Sequence, residues 1–205
     1  MARKRGETKK DLGGTKATII EAALNTVRSV GYAGASARAI ARTGGFNQAL
    51  IFYHFGTVDR LLLAALDYTS AARMNRYREA VQNARTVHDL IQVAREGYRD
   101  DLDGGHMTVV AELVAGGVAD PMLRPEIASR MRDWVDFVEG IVARFLEHSP
   151  MSGFIPTRDA ASAVVAFYLG LNISARLGED QVWIENLFNC ADAAAPLLTA
   201  IAGGP

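Results

Sequence analysis

Residues 36–55 constrain the fold of this chain more than any other part of its sequence. A short helical stretch begins at Ser36, a good N-cap residue, and stops at Gly44 and Gly45. A second short helix follows, with Asn47 as its predicted N-cap. Apolar side chains that can form a small core between the two helices are Ile40, Ala41, Phe46, Leu50 or Ile51, and Phe55. The segment therefore predicts a helix-turn-helix, whose second helix can lie in the major groove of DNA.

The rest of the sequence also has helical periodicity. An opening helix is predicted from Thr15, with Thr15 or Thr18 as its N-cap and Gly31 as the residue of positive φ that ends it. Thr57 is the predicted N-cap of a long fourth helix. Further helices are predicted at about residues 86–102, 106–117, 121–148, 157–177 and 180–202. No window alternates apolar and polar residues convincingly, so we expect an all-α protein of about nine helices.

Composition excludes several classes of protein. A hydrophobic fraction of 49% is enough for a packed core and excludes wholesale disorder. The single cysteine, Cys190, excludes a disulfide framework and a multi-cysteine metal site, as suits a reducing cytoplasm. No apolar stretch follows the basic N-terminus, and the most apolar segment, residues 160–171, is too short to span a bilayer. We therefore expect a soluble, cytoplasmic protein with no membrane partner.

Charge is distributed unequally along the chain. Residues 1–60 contain 10 Lys and Arg against 4 Asp and Glu, whereas the remainder contains 12 against 19, and the formal net charge is −1. The basic excess predicts that the N-terminal quarter meets a polyanion. A lysine-rich solubilising tail is the alternative, because half of these positive charges lie in residues 1–10. Since Gly13 and Gly14 follow, residues 1–14 are predicted to be a flexible basic arm, either disordered or inserted in a minor groove.

The gap-free stretch from Thr15 to Leu62 resembles the N-terminal domain of the tetracycline-repressor (TetR) family. The residues that carry the resemblance are Ile40 and Ala41, Gly45, Phe52, Tyr53, His54 and Phe55, and Leu61 and Leu62. The resemblance implies an N-terminal three-helix helix-turn-helix domain at residues 15–60. It also implies a C-terminal helical ligand-binding and dimerisation domain at residues 61–205.

The turn and its surroundings depart from the family pattern at five positions. Gly44 stands where alanine is usual, Phe46 where valine is usual, and Asn47 where serine is usual. Ala49 replaces a frequent glycine, and Val58 occupies a place where the family often has a phosphate-binding lysine. The first four departures keep a compact turn and a helix cap, whereas Val58 removes one expected DNA contact that Arg60 partly replaces.

The resemblance implies that several residues read bases. Gln48, near the start of the second short helix, is placed to pair with adenine through its carboxamide. Arg38 is placed to reach guanine, with a phosphate contact or a surface salt bridge as the alternatives. Ala49 and Phe52 are placed near a thymine methyl group, although burial against the first helix is the alternative for Phe52.

Other residues are implied to contact the DNA backbone. Tyr53 and His54 are placed to donate hydrogen bonds to phosphate oxygens, which fixes register and carries no sequence preference. Ser36 and Thr57 are predicted caps whose helix N-termini also attract phosphate. The complete set of expected DNA-contacting residues is Lys16, Ser36, Arg38, Asn47, Gln48, Ala49, Phe52, Tyr53, His54, Thr57 and Arg60.

The C-terminal part is expected to bind a small molecule and a second copy of the chain. By resemblance, the last two helices pair with their two-fold mates, and the small side chains of residues 161, 163, 166 and 170 allow close approach. Ordinary internal packing is the alternative. A mainly apolar effector pocket is expected between the helices of this part. Its expected lining residues are Tyr98, Met107, Glu112, Trp134, Phe137, Phe167, Tyr168 and Asn172.

These observations predict a repressor that binds a palindromic operator as a homodimer and is released by a small, mainly apolar effector. The partners are double-stranded operator DNA, the effector and a second copy, and neither a cofactor nor a metal is expected. The alternative is a TetR-like sensor that activates transcription or acts without controlling DNA. An enzyme is not expected, because the sequence has no Glu-x-x-His pair, HExxH, CxxC, P-loop, GxGxxG or GxSxG motif.

Overall fold

A computed structural model of the chain describes residues 9–104, 106–147, 149–150, 152–177 and 182–201. The described residues form nine α-helices and no strand, which confirms the all-α fold class. The helices are α1 (Lys9–Gly34), α2 (Ala37–Gly44), α3 (Ala49–Phe55), α4 (Val58–Asn83), α5 (Val87–Gly104), α6 (His106–Ala119), α7 (Leu123–Leu146), α8 (Thr157–Leu177) and α9 (Val182–Ile201).

The first helix differs from the sequence prediction at its start and agrees with it at its end. Helix α1 begins at Lys9 and continues through Gly13 and Gly14, so the predicted break at these glycines is wrong. A glycine costs only about 1 kcal/mol relative to alanine inside a helix, which flanking helical residues can offset. Thr18 is not a cap, since its hydroxyl donates to the Gly14 carbonyl oxygen at 3.1 Å within the helix. Residues 1–8 of the basic arm lie outside the described residues.

The opposite end of α1 confirms the predicted role of Gly31. This residue has φ 72° and ψ 175°, a conformation that interrupts the helical backbone and that favours glycine. Residues 32–35 then lead into α2 through backbone hydrogen bonds from Ala35 to Tyr32 (3.1 Å) and from Ser36 to Gly34 (2.9 Å).

The chain divides into two compact units, and the first contains α1, α2 and α3. It comprises Met1–Ser70 and Thr108–Ile127. Its core is apolar, with one polar link between α1 and α2: the buried Thr26 hydroxyl lies 2.7 Å from the Ala22 carbonyl oxygen and 3.0 Å from the Thr43 hydroxyl. Core side chains exposed by no more than 1% are Ile19, Ala23, Val27, Ile40, Ile51, Leu61, Ala65, Leu66, Val109 and Leu113.

The second unit comprises Ala71–Met107 and Ala128–Pro205. Its helices α5 and α9 pack together, and with α8 they form a buried cluster of Tyr98, Ala175, Ile184 and Phe188. At the edge of this contact, Asp192 of α9 accepts hydrogen bonds from Gln92 (2.9 Å) and Arg95 (2.7 Å) of α5. These polar contacts fix which faces of the two helices meet.

Among the residues that the structure describes, no single helix is long and apolar enough to cross a membrane. Helices α3 and α4, which are bent by 67° at their junction, reach that length and composition only when they are taken together.

Candidate nucleic-acid interface

Helix α2 is capped at both ends by the residues that the sequence predicted. The Ser36 hydroxyl oxygen accepts a hydrogen bond from the Ala39 N–H at 3.2 Å. At the other end Gly45 has φ 66°, and its N–H donates to the Ala41 carbonyl oxygen. Because both ends are fixed by local hydrogen bonds, the turn between α2 and α3 has a defined length and direction.

Helix α3 begins with the predicted cap and is anchored by one buried side chain. The Asn47 carboxamide oxygen accepts a hydrogen bond from the Ala49 N–H at 2.9 Å, and Gln48 already has helical dihedral angles (φ −55°, ψ −24°). Ile51 is fully buried, whereas Leu50 is half-buried, so Ile51 is the core residue of the two alternatives. Of the other residues of this short helix, Ala49, Phe52 and Tyr53 are exposed, whereas Leu50, His54 and Phe55 are half-buried.

Most of the residues expected to contact DNA are exposed. Ten of the eleven expected residues are exposed and His54 is half-buried. The Tyr53 side chain is 77% exposed, and its ring meets the His54 ring edge to face with centroids 4.9 Å apart. Phe52 is 50% exposed, so the alternative that it is buried against α1 is wrong. The reason is helical geometry: Ile51 occupies the inward direction, and the next residue points about 100° away from it.

The connection from α3 to α4 presents a second set of donors. The Thr57 hydroxyl oxygen accepts a hydrogen bond from the Arg60 N–H at 3.1 Å, which confirms Thr57 as the cap of α4. Arg60 is exposed, and a Cβ atom built on Gly56 would lie 3.6 Å from its Nη1 atom. The guanidinium group thus lies beside this connection, two residues from the half-buried and uncharged Val58.

Gly44 and Phe46, two of the unusual turn residues, pack against each other. The Phe46 ring lies over Gly44, and a Cβ atom added to Gly44 would come within 2.6 Å of Phe46 Cδ1 and 2.8 Å of Ala22 Cβ. Real Cβ atoms do not approach this closely, so the larger ring at position 46 requires the smaller residue at position 44. The turn therefore keeps its packing although both residues differ from the family pattern.

The sequence of this region matches a family model. Residues 19–65, which span α2, α3 and the helix segments on either side, match the model described as "Bacterial regulatory proteins, tetR family". Residues 19–65 are thus similar in sequence to the regulators of this family, and the match covers about a quarter of the chain. No curated protein matches the chain as a whole.

Solved TetR-family and related structures share the fold of the chain. A TetR-family transcriptional regulator from Cytophaga hutchinsonii is 17% identical and has a TM-score of 0.75, with 94% of this chain and 97% of that chain covered. The regulator FadR from Bacillus subtilis, in complex with stearoyl-CoA, is 17% identical with a TM-score of 0.73, and 87% and 96% are covered. The multidrug binding protein EbrR, complexed with imidazole, is 24% identical with a TM-score of 0.59, and 86% and 93% are covered.

Glu112, one of the residues expected to line the effector pocket, contacts the backbone near the end of α1. The Glu112 carboxylate of α6 accepts a hydrogen bond from the Tyr32 N–H at 2.8 Å, just after the end of regular α1. One turn further along α6, Gly116 leaves room for the Tyr32 ring, since a Cβ atom there would lie 2.6 Å from Tyr32 Cε1. Burial raises the pKa of Tyr32, and the nearby carboxylates of Asp59 and Asp120 add to this shift.

The contact of Glu112 joins residues 80 positions apart, and its place in the pocket lining stays a prediction. Gly31, which the sequence predicts as the end of the helix, gave a partial signal for the contact between Glu112 and Tyr32. A residue of positive φ ends the helix and leaves the next N–H in need of an acceptor. The sequence did not indicate which distant side chain supplies that acceptor.

The structure brings together only some of the other expected pocket residues. In the second unit, Tyr98, Met107 and Asn172 are buried, and Trp134, Phe137 and Tyr168 are half-buried. Phe167 is 60% exposed and does not line the interior, because the buried Ala161, Leu171 and Ala175 mark a different face of α8 as the inner one.

Three polar residues that sequence reasoning missed lie at the centre of this region: Arg73, Tyr77 and Asp101. Arg73 forms an ion pair with Asp101, and Tyr77 contacts both the Tyr168 hydroxyl (3.1 Å) and the Trp134 ring (centroids 5.9 Å apart). The spacing of four residues between Arg73 and Tyr77 places both on one face of α4, and this spacing can be read from the sequence. The burial of Arg73 with Asp101 could not be predicted in this way, because charged side chains are rarely buried in a protein interior.

Proposed function

We propose that this chain is a ligand-responsive transcriptional repressor. It binds a palindromic operator as a homodimer, acts by binding and not by catalysis, and is released by a small, mainly apolar effector. The observation that carries the proposal is the pattern of exposure along α3. Ile51 alone is fully buried, while Gln48, Phe52 and Tyr53 face outward next to capped helix N-termini.

The two classes of exposed side chain suit two kinds of DNA contact. Gln48 directly precedes α3, where its carboxamide can reach both the N6 and N7 atoms of an adenine in the major groove. Tyr53 is the most exposed aromatic residue of α3, and its hydroxyl can donate to a phosphate oxygen. Arg38 and Arg60 are exposed cations on the adjoining helices.

We expect a homodimer because one recognition helix contacts only a few base pairs. Helix α3 has seven residues and reaches only a few base pairs, so useful specificity requires two copies on successive grooves. Support for dimerisation through α8 and α9 comes from the apolar side chains that both helices expose. These side chains are Val164, Phe167, Ile173, Trp183, Leu187, Leu197 and Leu198.

Changing Leu187 and Leu198 together to glutamate tests this dimer. Burying two carboxylates without partners would be costly, so we expect monomers by size-exclusion chromatography with light scattering. The matched control is Met122→Glu, which alters an 81% exposed apolar residue outside α8 and α9 and should leave the dimer intact. A double variant that remains dimeric would place the interface elsewhere.

Release requires an effector that binds one conformer better than another. In that conformer the two recognition helices no longer match successive grooves. Helix α4 is the proposed lever, because it runs without interruption from Val58, just after the recognition helix, to Asn83. Small molecules bound to FadR and EbrR support the choice of a small-molecule effector.

Gel-shift experiments with the DNA upstream of the chain's own gene test the repressor function. A repressor should give a discrete complex that survives excess random competitor and weakens steeply with salt. Gln48→Ala should cost about 1–3 kcal/mol on the cognate site and relax preference at one base position. The control, Tyr53→Phe, should weaken binding similarly on all sequences. Equal losses on every sequence for Gln48→Ala would remove it as a base-reading residue.

Val58 favours a second candidate function, a TetR-like sensor that activates transcription or does not control DNA. Its half-buried, uncharged side chain stands where a phosphate-binding lysine is frequent. Val58→Lys separates the candidates. If the natural chain already binds its site tightly, the added charge should raise affinity only modestly and equally on all DNA. A chain that binds DNA only after this change would favour the sensor.

A further inference from the structure

Five polar side chains meet inside the second unit, and we refer to them as the Arg73 cluster: Arg73, Tyr77, Asp101, Tyr168 and Asn172. The two terminal nitrogens of Arg73 face the two carboxylate oxygens of Asp101, which is fully buried. The Tyr168 hydroxyl donates to Asp101 Oδ2 at 2.7 Å and lies 3.1 Å from the Tyr77 hydroxyl. Residues of α4, α5 and α8 thereby share one buried network.

Three buried atoms of this cluster have no hydrogen bond within the described part of the chain: Arg73 Nε, Asp101 Oδ1 and Asn172 Oδ1. Asp101 Oδ1 lies in the ion pair with Arg73, which leaves Arg73 Nε and Asn172 Oδ1 with no polar partner. Asn172 is only 1% exposed, and its Nδ2 atom donates to the Tyr168 carbonyl oxygen at 2.9 Å. Buried polar atoms are nearly always paired, so one free donor and one free acceptor in the same network indicate a missing hydrogen-bonding group.

Aromatic side chains continue from the Tyr77 ring, whose centroid lies 5.5 Å from Arg73 Cζ. The Tyr77 ring meets the Trp134 ring at 5.9 Å, and Trp134 meets Phe137 at 6.1 Å, both in edge-to-face geometry. Gly97 of α5 makes room for Tyr77, because a Cβ atom there would lie 2.6 Å from Tyr77 Cε1. An apolar wall with a few convergent polar groups is the usual composition of a small-molecule site.

The charges of the cluster exclude an ionic head group. A carboxylate approaching Arg73 would lie beside the Asp101 carboxylate, which already neutralises that guanidinium group. An ammonium group approaching Asp101 would meet Arg73 in the same way. Burial, reinforced by the neighbouring Tyr77, raises the pKa of Tyr168, which keeps its hydroxyl neutral. A neutral group that both donates and accepts hydrogen bonds meets neither repulsion.

We propose that the Arg73 cluster binds the head group of a neutral amphipathic effector, whose carbonyl oxygen accepts from Arg73 Nε and whose N–H or O–H donates to Asn172 Oδ1. The apolar tail then lies along Trp134 and Phe137. This inference rests on the proposed ligand-responsive function and adds the chemical class of the ligand.

Calorimetric titration of the full chain with three probes of equal chain length tests the inference: octanamide, octanoate and octylamine. Octanamide is expected to bind at least tenfold more tightly than either ion. Tighter binding of octanoate or octylamine, or no binding of octanamide, would overturn the proposal.

Two variants locate the site. Asp101→Asn keeps the shape but leaves Arg73 without its counter-charge, so the preference should invert towards octanoate. Because this change also breaks a buried ion pair, Asn172→Leu provides an independent test. It should weaken octanamide binding at least tenfold without lowering the melting temperature, and unchanged binding would contradict the assignment.

Asn83→Leu is the matched control for Asn172→Leu. Asn83 is exposed, and its Nδ2 atom makes the same hydrogen bond to the carbonyl oxygen four residues earlier (Glu79, 3.3 Å). This variant should bind octanamide as the natural chain does. Gel shifts separate the two proposals: a discrete operator complex without probe binding refutes only the ligand class. Probe binding with the expected preference but no DNA complex refutes only the repressor function.

Discussion

Replacing Gly44 with alanine tests whether the two unusual turn residues compensate for each other. A methyl group at position 44 would come within 2.6 Å of the Phe46 ring and 2.8 Å of the Ala22 methyl group. The ring can rotate away, but it then leaves the space between α1 and α2. The Ala22 methyl group is attached directly to the α1 backbone and cannot move without it.

The magnitude is a balance of two opposing effects. Alanine at a helical position gains about 1 kcal/mol over glycine. Overpacking of this kind typically costs about 1–3 kcal/mol, so the net destabilisation is expected to be about 1 kcal/mol. In a Phe46→Val background the ring contact is absent and only the Ala22 contact remains. Gly44→Ala should then be close to neutral, which gives a favourable coupling energy of about 1 kcal/mol between the two substitutions.

Amide hydrogen exchange of α2 and α3 is the appropriate assay, because it reports the local opening of this helix pair and not of the whole chain. The four proteins of the cycle are the natural chain, Gly44→Ala, Phe46→Val and the double variant. Gly45→Ala is a useful contrast, since it meets no neighbouring atom but has φ 66° and is strained for that reason alone, with or without Phe46. The reasoning is refuted if Gly44→Ala stabilises the natural chain, or if its effect is the same in both backgrounds.

Two further predictions concern capping carboxylates. Glu112→Met removes the acceptor of the Tyr32 N–H and should weaken operator binding by about 1–3 kcal/mol, whereas Glu112→Gln keeps an acceptor oxygen and should largely restore it; equal losses in gel shifts would contradict this role. Asp89 accepts hydrogen bonds from the N–H groups of Arg85 and Thr86, and these bonds lower its pKa. Its contribution to stability is therefore present above the ordinary carboxyl pKa and is lost as the pH falls through the lowered value. Asp89→Asn should make local opening of α5 less dependent on acid pH, and an unchanged pH profile would refute the assignment.

The sequence predictions were accurate where the interacting residues are close in the chain and failed where they are far apart. Ser36, Asn47 and Thr57 were predicted as caps because each bonds to an N–H only two or three residues away. The contact between Glu112 and Tyr32 was not predicted because the two residues are 80 positions apart, and no local pattern encodes such a contact. Phe167 was misassigned because an aromatic residue reads as interior unless the orientation of its helix is known.

The glycines inside helices show why composition misleads in this chain. Glycine was interpreted as a helix end or a break, which is right at Gly31 and Gly45. At three helical glycines, however, an added Cβ atom would lie 2.6 Å from an atom of an aromatic ring in the same unit. These glycines therefore make room for the rings that pack against them and do not mark flexible points. The cost of about 1 kcal/mol for each glycine is offset when the ring packs against the exposed helix backbone. One glycine–ring pair lies at the turn between α2 and α3, one joins the end of α1 to α6, and one belongs to the Arg73 cluster. We therefore expect substitutions at these glycines to alter DNA binding or ligand binding before they alter helix content. The pairs are Gly44 with Phe46, Gly116 with Tyr32, and Gly97 with Tyr77.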